Sequence, residues 1–113
     1  MKYICKDAAN KIKNSKTCTV REYKLDRQNI DIAQVTISGR YPEDGSVKNN
    51  VSTEVCLVIS GSGSIVVDKE KTLLQAGDVI LIEPGEKFFW EGVMEIVISC
   101  SPAWSIEQYK QVT

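Results

Sequence analysis

Two residues of the stretch TEVCLVIS (53–60) can do chemistry together. Glu54 and Cys56 lie two apart, and in a strand such residues point to the same face. A carboxylate and a thiolate on one face could supply two metal ligands, and the soft thiolate would favour zinc or iron over magnesium. Read more plainly, Cys56 is a small buried hydrophobe, the usual condition of free cysteine. The chain has no histidine, which removes the commonest metal ligand and the side chain best suited to proton transfer near neutral pH. Aromatic rings form the other candidate group. In KFFWEG (87–92) Phe88 and Trp90 share one strand face and Phe89 takes the other. Trp90 and Trp104 carry indole N–H donors that need partners when buried. Such rings either plug a core or wall a ligand pocket, whose lining is mostly apolar with a few polar groups. An aromatic platform suits a sugar face.

Eight segments of strand length must position these side chains. They are TCTVREYKL (17–25), IDIAQVTIS (30–38), TEVCLVIS (53–60), SIVVDK (64–69), KTLLQ (71–75), DVILIE (78–83), KFFWEG (87–92) and MEIVISC (94–100). All are rich in Val, Ile, Thr and aromatic residues. Between them YPEDGS, SGSG, QAGD and EPGE carry the residues that turns require. Eight short strands at this spacing predict an all-β sandwich or barrel. Both ends read as short helices. Ile4, Ala8 and Ile12 fall on one helical face, and SIEQ (105–108) has the form of a capping box with Ser105 as cap and Gln108 reaching back. Pro102 should end the strand before that turn.

With 113 residues, 42% hydrophobic and 26% charged, the chain is expected to be one domain that buries roughly 65% of its unfolded surface. Lys plus Arg is 14 against 15 Asp plus Glu, a net charge of -1. The basic excess of a nucleic-acid binder is missing. No apolar run approaches the roughly 20 residues of a membrane helix, and MKYICKDAANKIKNSK holds no secretory apolar core. The cysteines at 5, 18, 56 and 100 form no CxxC pair. These features point to a cytoplasmic protein with free thiols; two disulfides in an exported domain are the alternative.

Over about residues 36–101 the sequence resembles the cupin superfamily. The second cupin motif is matched by GDVILIEPGEKFFW (77–90), with Gly77 and Gly85 in register. Its proline place is Glu83, with Pro84 one step later, its histidine place is Phe88 and its terminal asparagine place is Gly92. In KNNVSTEVCLVISG (48–61) Glu54 takes the glutamate place of the first motif and Gly61 the glycine. The two histidine places fall on Lys48 and Asn50, and the opening glycine on Pro42, flanked by Gly39 and Gly45. Three of the four usual metal ligands are thus replaced.

The resemblance implies a single domain over 1–113, a cupin-like double-stranded β-helix or jelly-roll barrel with its core at about 17–101 and short terminal helices. It implies a homodimer through edge strands, which would also cover exposed edges, and no metal or other cofactor. It places Lys48, Asn50, Glu54 and Phe88 inside the barrel, with Tyr41 at the mouth. There Lys48 and Glu54 would neutralise each other in place of a metal, since a lone buried charge costs several kcal/mol. Alternatively Lys48 binds a ligand carboxylate or phosphate, works with Glu54 in acid/base catalysis, or points to solvent. The leading expectation is a metal-independent protein that binds a small organic ligand, carbohydrate or carboxylated, lined by Tyr41, Lys48, Asn50, Glu54, Cys56, Phe88 and Trp90. One alternative is a sugar isomerase, epimerase or lyase using Glu54 with Lys48 or Tyr41. Another is a structural or partner-binding module whose barrel is filled by Phe88, Trp90 and Cys56.

Overall fold

From Glu54 to Ile59 buried and exposed residues alternate without a break. Cys56 and Val58 are sealed inside, while Val55, Leu57 and Ile59 face out. That period of two is the signature of a strand with one face on a core. It recurs through the computed structural model, which describes residues 1–112. Nine strands occur among these residues: β1 (Asn10–Ser15), β2 (Cys18–Tyr23), β3 (Ile32–Tyr41), β4 (Ser46–Asn49), β5 (Thr53–Val67), β6 (Glu70–Gln75), β7 (Val79–Ile82), β8 (Phe88–Ser101) and β9 (Tyr109–Val112). All pair antiparallel. One path runs β1-β2-β3-β8-β4-β9, and β5 pairs with β6, β7 and β8. The long strands β5 and β8 are shared between the faces and curl the sheet around a core that includes Ile37, Val58, Ile65, Ile82, Phe88, Trp90 and Ile96. The architecture is the expected all-β jelly-roll barrel. Among the described residues no helix is long and apolar enough to cross a membrane.

Two pairs of expected strands are each one bent strand. Segments 53–60 and 64–69 fuse into β5, and 87–92 and 94–100 fuse into β8. SGSG is therefore a bend and not a chain reversal. At this bend β5 and β8 run too close for side chains. A Cβ on Gly61 would strike the Val93 carbonyl, one on Gly63 the Glu91 carbonyl, and one on Gly92 the Gly63 backbone. Three glycines here permit a close backbone approach, and a register shift between Val58 and Ser60 adds curvature.

The terminal helices reduce to two 3-10 turns, Lys6–Ala8 and Ile106–Gln108. Ile12 lies in strand β1, paired with Val20 of β2, so the Ile4–Ala8–Ile12 spacing does not mark a helix. Ser105 makes no side-chain cap. Gln108 instead reaches away from its own turn: its Oε1 accepts from the Val51 and Ser52 amides at 3.0 and 2.8 Å. Its Nε2 donates to Ser52 Oγ at 2.8 Å. This buried amide sews the C-terminal segment to the turn before β5. The strand before Pro102 ends at Ser101, as expected.

Candidate functional site

The inward positions of β1, β2, β3, β5 and β8, with the segment 104–109, enclose a cavity of about 470 Å³. Pockets for small organic molecules have this size. Val20, Val35, Ile37 and Ile98 supply aliphatic wall, and Tyr41, Phe88, Trp90, Trp104 and Tyr109 supply rings. Ile12 and Ile106, both lining and largely exposed, stand at the mouth. Phe88 and Trp90 are buried and meet edge to face at 6.4 Å, yet the space beside them remains. Phe89 points outward under the Arg40 guanidinium, 3.8 Å from its ring centre.

Of the residues singled out by sequence, Tyr41, Glu54, Phe88, Trp90 and Trp104 line this cavity. Cys56 is completely buried beside Glu54, behind the wall. Lys48 and Asn50 are elsewhere, which corrects their expected place inside the barrel. In β4 the inward residues are Val47 and Asn49, at 1% and 4% exposure. Val47 pairs with Phe88 and Asn49 with Tyr109. Lys48 therefore faces the other way, opposite Lys110 of β9, and Asn50 is exposed. A slip of one residue exchanges every side chain between faces. The single apolar residue of SVKNN, Val47, was the signal for the true register.

Glu54 is the polar centre of the interior. Its Oε1 accepts from Asn49 Nδ2 at 3.4 Å and from the Cys100 thiol at 3.7 Å, and its Oε2 from the Cys56 thiol at 3.5 Å. Burial raises its pKa, while these three donors pull the other way. Burial likewise pushes the Cys56 and Cys100 thiols up, and the neighbouring Glu54 charge adds to both. They stay protonated and unreactive, since the thiolate is the nucleophile. Among the described residues all four cysteines are free.

A relay sets the orientation of Asn49. Trp104 Nε1 donates to Asn49 Oδ1 at 2.9 Å, which turns the amide nitrogen toward Glu54. Trp104 is itself held by its backbone N–H, which donates to Asp31 Oδ2 at 2.8 Å, while Asp31 Oδ1 accepts from the Cys100 amide at 2.7 Å. The indole meets Tyr109 edge to face at 5.5 Å. Tyr109 and Tyr41 join hydroxyls at 2.7 Å. One hydroxyl donates to the other, and the Asn14 side chain also lies within hydrogen-bonding reach of the Tyr41 hydroxyl. Burial raises the pKa of both, so neither is a phenolate at neutral pH. Sequence reasoning missed Asn49, Asp31, Cys100 and Tyr109 as site residues. Their signal is the alternation of Asn49 with Val47 and of Cys100 with Ile98.

No protein-family model matches the sequence, and no curated protein matches it. Solved structures do. A histidine-to-glutamine variant of Streptomyces PAC13 with uridine superposes with a TM-score of 0.90 at 20% identity, covering 100% of this chain and 92% of that one. Pac13 is described as a unique nucleoside dehydratase. An RmlC-like cupin from Shewanella frigidimarina gives a TM-score of 0.74 at 15% identity, covering 89% and 90%. KdgF from Halomonas sp. gives 0.73 at 12% identity, covering 91% and 96%. The chain has the cupin fold.

A metal in this fold calls for imidazole nitrogens and a carboxylate, and the donors here do not fit. The chain has no histidine. Among the described residues no three Cys, Asp or Glu side chains form a group able to hold an ion.

Proposed function

We propose that the barrel binds a small organic ligand without a metal, and that the ligand carries a flat ring and hydroxyl groups, as a nucleoside or other glycoside does. One observation carries the reading: an aromatic-walled cavity of about 470 Å³ with a single deeply buried carboxyl, Glu54, at its centre. Rings stack or pack on the aromatic faces, and the Tyr41–Tyr109 hydroxyls and Glu54 offer donors and acceptors that fix orientation. The structural likeness to a protein seen with uridine supports this class of ligand. A carboxylated ligand loses its support with Lys48, the cation meant to receive it. Isothermal titration with uridine tests the reading. Binding is expected, and Ala33→Trp, which fills the cavity from β3, should abolish it. Uridine binding that survives Ala33→Trp in a folded protein would place the site elsewhere. A tightly held zinc or iron, one per chain by metal analysis, would overturn metal independence.

A second reading is an acid/base enzyme, a lyase or isomerase. Glu54, whose pKa burial raises, shares the cavity with the paired Tyr41 and Tyr109 hydroxyls. In its ionised form Glu54 could remove a proton from the ligand and, once protonated, return it to a leaving hydroxyl, which departs as water. Lys48 has no part in this. Glu54→Gln should then end turnover of a confirmed substrate and leave the fold intact.

We further propose a homodimer in the cytoplasm. Val55, Leu57, Val79 and Leu81 are exposed on neighbouring strands, and buried thiols suit a reducing compartment. Leu57→Glu should reduce the mass seen by light scattering to that of one chain.

A further inference from the structure

We infer that the ligand of this cavity is an organic cation, one that places a protonated nitrogen against Glu54. This rests on the reading of the cavity as the ligand site and adds a charge to it. Among the described residues lining the cavity, three carry carboxylates, Glu22, Asp31 and Glu54, and none is lysine or arginine. Asp31 has both oxygens engaged by backbone amides, but its negative charge remains. The field inside is therefore of one sign, and a low-dielectric wall strengthens it.

Glu54 is the group most in need of a partner. Its three donors are one amide at 3.4 Å and two thiols at 3.5 and 3.7 Å. All are neutral and long, and thiols are weak donors. The titratable groups that bear on it are Asp31, Tyr41, Cys56, Cys100 and Tyr109, and none of them is a cation. A desolvated carboxylate without a counter-charge is costly, and the lysine expected to balance it lies on the other face of β4. A ligand ammonium would supply the missing charge through a short, charge-assisted hydrogen bond. The walls favour the same ligand. Tyr41, Trp90, Trp104 and Tyr109 surround the space, and the faces of such rings attract cations, Trp most strongly. An anion would meet the charges of Glu22 and Asp31 and would give Glu54 no counter-charge.

Three nucleosides of nearly equal shape separate the outcomes: uridine, 5′-amino-5′-deoxyuridine and uridine 5′-carboxylate. Tryptamine, tryptophol and indole-3-acetate form a second series that does not depend on the sugar. In calorimetric titrations at neutral pH the amine of each series should bind about tenfold tighter than its alcohol. The carboxylate should bind weakest. Glu54→Gln should bring amine and alcohol to equal affinity. Equal affinity of amine and alcohol in the wild type, or preference for the carboxylate, would overturn the cation inference and leave the cavity reading standing. Failure of all six to bind would remove the cavity reading itself.

Discussion

Replacing Glu54 by glutamine should make the protein more stable, and only in the pH range where the carboxyl loses its proton. The unfolded chain releases that proton as an ordinary glutamate does, whereas burial raises the pKa in the barrel. The folded state therefore binds the proton more tightly. The stability this contributes is fully present below the unfolded pKa and is lost as pH rises through the folded one. Glutamine keeps the shape and has no proton to lose. The size of the effect follows from what surrounds the charged form. One amide at 3.4 Å and two thiols at 3.5 and 3.7 Å recover only part of the hydration left behind at 6% exposure. A buried polar group so poorly compensated costs about 1–3 kcal/mol. Urea denaturation of both proteins should find them equal near the ordinary glutamate pKa of about 4.3. The variant should lead by about 1–3 kcal/mol well above the raised pKa, or about 4 °C in melting temperature for each kcal/mol. A variant less stable at every pH would refute the reasoning, because it would mean that the fold already satisfies the carboxylate.

Other substitutions probe the frame around the site. Gln108→Leu leaves the buried Ser52 amide without a partner, while the Ser52 hydroxyl keeps its bond to the Pro102 carbonyl, and should cost about 1–3 kcal/mol in urea denaturation. Gly92→Ala forces a Cβ onto the Gly63 backbone at a φ of +138° and should lose more than about 3 kcal/mol, enough to reduce soluble yield. Lys48→Ala should change stability by less than about 0.5 kcal/mol and leave ligand binding as it was. A loss of binding there would return Lys48 to the site.

The strand alternation made much of the barrel legible in sequence. Glu54 with Cys56, and Phe88 with Trp90, share inner faces because residues two apart in a strand must. Counting along the cupin motif failed at β4, where Lys48 and Asn50 were assigned inward. The pairing of Val47 with Phe88 sets the register there, and burial of one valine outweighs a motif count. SGSG looked like a turn because glycine serves turns and close strand crossings alike. Only the tertiary approach of Gly61 and Gly63 to β8 distinguishes the two. Gln108 satisfied the local rule for a cap, yet the unpaired amides at Val51 and Ser52, distant in sequence, claimed its side chain. Asn49 and Tyr109 entered the site because β4 and β9 pair, a contact that neither strand announces on its own.

The most direct test is a crystal structure of the protein grown with 5′-amino-5′-deoxyuridine. The account predicts density for the nucleoside inside the barrel, its base against the aromatic wall and its nitrogen within hydrogen-bond distance of a Glu54 carboxylate oxygen. A ligand bound on the outer surface, or seated in the barrel with its nitrogen turned away from Glu54, would contradict it.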